Sequence, residues 1–182
     1  MPAPPTYLTG AAGEYTVAAE LSRRGWLATV TIKNAPGTDV LAQRLDDGRL
    51  VGIQTKTSTG NGFLLGAGSE RPAKRDDSWY VLVLLPVIPA RARCFVVPSD
   101  HIAAIAFASH RFWLSMTKRD GTARKDSDMR QVKATDICEY EDAWDLLDGA
   151  TTDVPFLGAS WLREAIKEFG LPDDHGGLEA SH

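Results

Sequence analysis

Residues 50–57 read LVGIQTKT, a run that predicts a strand inside a globular domain. Successive side chains of a strand point to opposite faces, so Gln54 and Lys56 share one face while Val51 and Ile53 share the other. One face of this strand is therefore apolar, and the other presents an amide beside an ammonium group. The segments before this strand indicate why the two polar groups lie together.

The sequence before this strand predicts a β-hairpin. Residues 38–45 are strand-like, and residues 46–49 (DDGR) carry the Asp-Gly turn signal. A turn centred on the Asp-Gly pair places Asp39 opposite Lys56. Directly opposed residues lie on one face about 5 Å apart at Cβ. We therefore expect Asp39, Gln54 and Lys56 to form one polar patch, and a register slip of one residue would break it.

A helix that precedes the hairpin supplies a fourth polar residue. It is predicted over residues 13–24, with Gly25 as the left-handed cap. Glu14 belongs to its core-facing stripe and lies in its first turn, where the helix dipole favours a carboxylate. A lone charge near the core is costly. Its expected partner is Lys56 or a divalent cation bound by Asp39.

Two carboxylates, an amide oxygen and a lysine at the edge of a strand suit an oxygen-liganded Mg²⁺ or Mn²⁺. Asp39, the side-chain oxygen of Gln54 and a backbone carbonyl near Thr55 would hold the ion. Lys56 would orient the attacking water or stabilise charge on a phosphorane-like transition state. This is chemistry for the hydrolysis of a phosphodiester.

Three short segments resemble the PD-(D/E)XK nuclease superfamily, which has the restriction-endonuclease-like fold. They are Gly13-Glu14, Gly37-Thr38-Asp39-Val40 and Ile53-Gln54-Thr55-Lys56. The superfamily pattern is a helix with a Glu, a strand that opens with the Asp, and a following strand that ends in (E/Q)-x-K. The resemblance covers residues 13–58, and a Holliday-junction-resolvase-like or small uncharacterised branch is the nearest.

The resemblance implies a metal-dependent endonuclease that hydrolyses DNA, with Mg²⁺ or Mn²⁺ as cofactor and a homodimer as a common assembly. It makes Asp39 and Gln54 metal ligands, Lys56 the catalytic lysine, and Glu14 the helix glutamate and a further ligand. The sequence departs from the pattern twice: Thr38 replaces a proline, and Gln54 replaces a carboxylate. The second change removes a negative charge from the metal site, so the alternative is an inactive nuclease-fold module that binds nucleic acid or a protein partner.

The predicted fold class is α/β (α+β), with an αβββαβ core, a mixed central sheet flanked by helices, and C-terminal helices. Residues 13–172 are expected to form a single nuclease-like domain, with a core over 13–99 and a helical part over 100–172. Strands are expected over 26–33, 78–86 and 93–99, and helices from 99, over 135–147 and over 160–169. Residues 1–12 and 173–182 are expected to be flexible.

The charge of the chain limits which kinds of DNA-binding function are possible. A formal net charge of −4 argues against a protein that coats DNA through charge alone, but not against an enzyme with a local basic track. Two candidate clusters could contact phosphates: Arg71, Lys74 and Arg75, and Lys118, Arg119, Arg124 and Lys125. Solvated surface is the alternative for each. His101 and His110 are interpreted as structural.

The two cysteines, Cys94 and Cys138, match no metal spacing, and a reduced pair is favoured over a disulfide. The N-terminal residues lack the pattern of a signal peptide, and the longest apolar run is too short to span a bilayer. The predicted location is therefore cytoplasmic.

Overall fold

The computed structural model describes residues 4–32, 37–73, 75, 77–86 and 90–175 of the 182-residue chain. Within these residues the α-helices are Thr6–Ser22 (α1), Ser99–Ser115 (α2) and Ser160–Phe169 (α3). The strands are Trp26–Val30 (β1), Val40–Arg44 (β2), Leu50–Ser58 (β3), Gly62–Gly66 (β4), Ser78–Leu84 (β5), Arg93–Pro98 (β6) and Met129–Lys133 (β7). Short 3-10 helices span Ala67–Glu70, Ala134–Tyr140, Trp144–Asp148, Thr151–Asp153 and Asp173–His175.

A five-stranded sheet in the order β1-β2-β3-β5-β6 forms the centre of the protein. β3 and β5 run parallel, and the other neighbouring pairs are antiparallel. Parallel neighbours need a crossover connection. Here the described residues of that connection form β4 and the 3-10 helix Ala67–Glu70 instead of an α-helix. The predicted fold class, a mixed sheet flanked by helices, is confirmed.

Different layers cover the two faces of the sheet. On one face, Val17 and Leu21 of α1 pack in a buried cluster with Val51, Ile53 and Val81. On the other face, α2, α3, β4 and β7 contribute to a second cluster that also contains Leu82, Phe95 and Val97. Strands β5 and β6 are buried on both faces. This burial explains why their sequences are almost continuously apolar.

α1 begins at Thr6 rather than at the predicted Gly13. Residues 1–10 are rich in proline, which disfavours a helix interior, so the sequence favoured a later start. Gly13 instead faces the sheet, where a Cβ atom built on it would overlap the side chain of Thr57. Gly25 has the predicted left-handed conformation, with a φ of 84°, but α1 ends at Ser22, so Gly25 does not cap the helix directly.

Two strands of the fold were not predicted. β4 and β7 pair with each other as a separate two-stranded antiparallel sheet that packs against α2. Residues 135–147, predicted as one helix, form two 3-10 helices separated near Asp142, which has a φ of 50°. The predicted turn at residues 34–37 lies outside the described residues except for Gly37. The expected tail begins with the 3-10 helix Asp173–His175, and residues 176–182 lie outside the described range.

Both cysteines are free thiols, with Cys94 buried and Cys138 exposed. None of the helices in the described part of the chain has the length and apolarity needed to cross a membrane.

Candidate active site

The β2–β3 hairpin is closed by a longer loop than the predicted two-residue turn. The loop covers residues 45–48, and Gly48 adopts a φ of 75° there. The strands consequently pair two positions away from the predicted register, so Asp39, just before the paired region, comes level with Gln54 and not with Lys56. The predicted pairing is therefore wrong. A shift of two positions keeps every side chain on its face, so the shared face of Asp39, Gln54 and Lys56 is retained.

Asp39 marks the point at which β2 and β3 separate. Its backbone N–H donates to the carbonyl oxygen of Ile53 at 2.8 Å. Its carboxylate oxygen Oδ2 accepts a 2.7 Å hydrogen bond from the backbone N–H of Thr55. The side chain thus takes the place of the next backbone carbonyl in the ladder, and β3 continues to Ser58 beside β5. The backbone N–H of Thr55 thus holds the Asp39 carboxylate at the point where β2 and β3 separate.

Gln54 and Lys56 lie on the face of β3 opposite to α1. Both are half-buried, and the parallel register places Tyr80 beside Gln54 and Leu82 beside Lys56. Among the described residues, neither Gln54 nor Lys56 has a hydrogen-bond or ion-pair partner for its side chain. Oδ1 of Asp39 likewise accepts no hydrogen bond from those residues. The face therefore offers one carboxylate oxygen, one amide and one ammonium group to a ligand.

Tyr80 is a member of this face that sequence reasoning missed. Burial raises the pKa of its phenol, and the nearby charge of Asp39 raises that pKa further. The hydroxyl is consequently a neutral donor at neutral pH. Tyr80 lies within an apolar run that reads as an ordinary buried strand, and its position next to Gln54 depends on the parallel pairing of β3 with β5. The sequence contains no local signal for that pairing.

Glu14 lies in the middle of α1, so the prediction that it occupies the first turn is wrong. It is half-buried and follows Gly13, which contacts Thr57 at the far end of β3. Thr57 points to the α1 side of the sheet, whereas Lys56 points to the other side. Glu14 therefore lies near the end of β3 that carries Lys56, but its helix packs on the opposite face of the sheet from Gln54 and Lys56.

The donor set fits a hard divalent cation with few protein ligands. Oδ1 of Asp39 and the amide oxygen of Gln54 are level on one face, and both are oxygen donors of the kind that Mg²⁺ accepts. Mg²⁺ commonly binds one or two carboxylates and keeps several waters. No group of three or more His, Cys, Asp or Glu side chains converges within the described ranges. Any ion here would have one firmly held carboxylate and a neutral amide.

The three residues predicted to contact phosphates have different surroundings. Arg71 is exposed and follows the 3-10 helix Ala67–Glu70. Arg75 is exposed and forms a two-pronged ion pair with Asp77, whose closest contact is 2.6 Å. Lys74 lies outside the described residues. Arg71 is thus the one with an available guanidinium, since a phosphate would have to compete with Asp77 for Arg75.

His101 and His110 have structural surroundings, as predicted. Nδ1 of His101 lies 2.8 Å from the hydroxyl of Tyr140, and burial lowers the pKa of this histidine to about 4. Nε2 of His110 lies 2.7 Å from a carboxylate oxygen of Asp126. Both histidines belong to α2, and both are buried.

No protein-family model matches the sequence, and no curated protein matches it significantly. Among solved structures, a Holliday junction resolvase from the archaeal hyperthermophile Archaeoglobus fulgidus aligns with a TM-score of 0.39 and 12% identity, over 68% of this chain and 83% of its own. A bacterial homing endonuclease aligns with a TM-score of 0.44 and 15% identity, over 80% of this chain and 92% of its own. At these scores neither likeness assigns an activity, which has to be argued from the side chains.

Proposed function

We propose that this protein is a metal-dependent endonuclease that hydrolyses DNA phosphodiester bonds, with Mg²⁺ or Mn²⁺ as cofactor. One observation carries the proposal: the carboxylate of Asp39, held by the N–H of Thr55, shares a strand face with Gln54 and with Lys56, which has no ion-pair partner among the described residues. The resemblance of these residues to the PD-(D/E)XK pattern supports it. DNA is the proposed partner, and a homodimer and a cytoplasmic location remain predictions.

Each residue has a role that follows from its chemistry. Oδ1 of Asp39 and the amide oxygen of Gln54 would hold the cation, and Glu14 would contribute only around the edge of β3. A bound divalent ion supplies Lewis acidity to the phosphate. The ammonium group of Lys56 attracts the scissile phosphate and stabilises the negative charge that grows on its oxygens during attack by water. Tyr80 can donate a hydrogen bond to the same phosphate or water.

Gln54 determines how strongly the site binds metal. A neutral amide oxygen attracts Mg²⁺ less than a carboxylate does, since ligand charge tunes the affinity of such sites. We therefore expect weak metal binding in the wild-type protein and tighter binding after Gln54→Glu. The lost charge is also the observation that favours the second candidate function, an inactive nuclease-fold module that binds nucleic acid or a protein partner.

Nicking of supercoiled plasmid DNA tests the first function. We expect conversion to open-circular DNA that requires Mg²⁺ or Mn²⁺, stops with EDTA, and is abolished by Asp39→Ala. The matched control is Asp46→Ala, because Asp46 is an exposed carboxylate on the same hairpin that pairs with Arg44 at the surface. Nicking by Asp39→Ala protein at the wild-type rate would refute the assignment.

Calorimetric titration with Mn²⁺ separates the two functions. The endonuclease proposal predicts a weak binding isotherm for wild type, a tighter one for Gln54→Glu and none for Asp39→Ala. If neither wild type nor Gln54→Glu binds Mn²⁺, the inactive module is the correct interpretation.

A further inference from the structure

A groove of about 570 Å³ lies on the outer side of the β4–β7 sheet, away from the polar face of β3. The second half of α2, the β4–β7 sheet and the start of α3 bound it. We call it the aromatic groove, because its apolar lining is made by Leu64, Phe112, Trp113, Met116, Met129 and Trp161.

The lining of the aromatic groove is exposed. Leu64 is 61% accessible to solvent, Met129 50% and Phe112 41%. The rings of Phe112 and Trp161 lie 5.3 Å apart at an angle of 50°. Large apolar side chains gathered at one exposed place commonly mark a binding surface. The exposed ring of Phe112 and the half-buried ring of Trp161 offer faces on which a planar group can stack.

Exposed cations lie in the segment between Met116 and Ser127, two residues that line the aromatic groove. Lys118, Arg119 and Lys125 belong to the segment that joins α2 to β7, and all three are exposed. Within the part of the chain that the structure describes, none of them has a carboxylate partner. Arg124 of the same segment lies over the ring of Trp113, 4.8 Å from its centroid. Residues 116–128 carry four basic and three acidic residues, a net charge of +1 in a chain whose net charge is −4.

Two of the acidic groups nearby have partners of their own. Asp126 contacts His110 and Arg130. Asp136, in the groove wall, accepts hydrogen bonds from the backbone of Lys133 and from Nε1 of Trp161. A ligand that is both planar and anionic would thus find stacking surfaces and free cations together.

We propose that the aromatic groove binds an unpaired stretch of nucleic acid. Its bases stack on Phe112 and Trp161, and its phosphates contact Lys118, Arg119 and Lys125. Aromatic platforms beside a cationic track are the usual means of holding single strands without reading their sequence. The choice of nucleic acid over another planar anion rests on the proposed endonuclease function. The groove would give that enzyme a preference for substrates in which duplex and unpaired DNA meet.

Fluorescence anisotropy with a labelled single-stranded DNA oligonucleotide of mixed sequence, in EDTA to prevent cleavage, tests the proposal. We expect Phe112→Ala to weaken binding about tenfold. We expect the triple change Lys118→Gln, Arg119→Gln and Lys125→Gln to weaken it and to reduce the salt slope by about 2. The matched controls are Tyr7→Ala and Arg91→Gln, an exposed ring and an exposed cation elsewhere, which should bind like wild type.

Quenching of tryptophan fluorescence in the wild-type protein provides a readout that needs no variant, since Trp113 and Trp161 line the groove. Equal affinity in wild type, Phe112→Ala and the triple variant would overturn the proposal. Quenching by a leucine-rich amphipathic peptide but not by the oligonucleotide would also overturn it and would assign the groove to a protein partner.

Asp39→Ala separates this proposal from the proposed endonuclease function. That variant should still bind the oligonucleotide like wild type, whatever happens to plasmid nicking. Loss of oligonucleotide binding in Asp39→Ala would place the strand on β3 and contradict the groove. Absence of nicking in wild type, with binding that depends on Phe112, would refute the enzyme and leave the groove standing.

Discussion

The two halves of β3 differ in how many neighbours they have. Residues 50–53 are paired with β2 on one edge, and from Gly52 onwards β3 is also paired with β5 on the other. Residues 54–58 keep β5 but have lost β2, because Asp39 ends the ladder. The first half carries the fully buried Val51 and Ile53, and the second half carries Gln54 and Lys56. The residues that stabilise the sheet and the residues proposed to act in catalysis thus lie in successive halves of β3.

Energetics explain this division. Full burial of a side chain such as valine or isoleucine stabilises a fold by about 1.5–3 kcal/mol, and the first half of β3 supplies two of them. A strand edge released from its neighbour leaves a backbone N–H to be satisfied. In the second half a carboxylate satisfies it, which fixes a charged group beside an open face. Changes in the second half should therefore affect activity most, and changes that support the sheet should affect stability.

Lys56→Met should have a large effect that is confined to activity. It removes the ammonium group that stabilises the transition state while keeping most of the aliphatic side chain, so the nicking rate should fall about 10²–10³-fold and the melting temperature should stay unchanged. Quantitative plasmid nicking and thermal unfolding measure the two. Lys167→Met, on the exposed side of α3, is the control and should match wild type in both. Full activity in Lys56→Met would show that the second half of β3 is not a catalytic surface.

Asp39→Asn and Asp39→Ala should both abolish nicking but differ in stability. Asparagine keeps an oxygen that can accept the hydrogen bond of Thr55, whereas alanine leaves that N–H without its acceptor. A buried donor without an acceptor costs about 1–3 kcal/mol. Urea unfolding should therefore rank wild type and Asp39→Asn close together, with Asp39→Ala lower by that amount. Equal stability of the two variants would mean that the hydrogen bond does not hold the split between β2 and β3.

Gly13→Ala should destabilise the protein, since its Cβ atom would overlap the side chain of Thr57. The Cβ and Cγ2 atoms of Thr57 would also lie within 3.1 Å, so rotation of its hydroxyl alone gives no relief. Overpacking of this kind costs about 1–3 kcal/mol. Gly10→Ala, in the same helix with no atom within 4 Å, should stabilise by about 0.5–1 kcal/mol. If urea unfolding gives the two variants equal free energies of unfolding, α1 does not pack closely against β3 at Gly13.

Gly48→Ala should have the smallest effect. Gly48 has a φ of 75°, and an L residue in that region costs about 1–2 kcal/mol. The loop serves the first half of β3, so the free energy of unfolding should fall by this amount while the nicking rate stays at the wild-type value. A drop in nicking at temperatures where the variant is folded would show that the two halves are coupled.

The sequence predicted the hairpin and its faces but not its register. Alternation in residues 50–57 identifies which side chains share a face, because it depends on local geometry alone. The register depends on loop length, and the sequence DDGR is compatible with a two-residue turn and with the longer loop that forms. The polar face survived this error only because the shift was two residues.

Pairing between residues far apart in the sequence accounts for the remaining differences between the predicted and the observed structure. Tyr80 joins the polar face through the parallel pairing of β3 with β5, and β4 finds β7 across more than sixty residues of chain. Neither contact leaves a local pattern in the sequence. α1 was predicted too short because its first residues follow a proline-rich start. The close approach of Gly13 to Thr57 leaves no pattern in the sequence either.

A crystal structure of the wild-type protein soaked in Mn²⁺ tests the central claim most directly. The account predicts a peak of anomalous density bound by Oδ1 of Asp39 and the side-chain oxygen of Gln54, at the metal–oxygen distances usual for such ions of about 2.0–2.3 Å. A map without a peak beside Asp39 at saturating Mn²⁺, or with Gln54 turned away from that carboxylate, would contradict it.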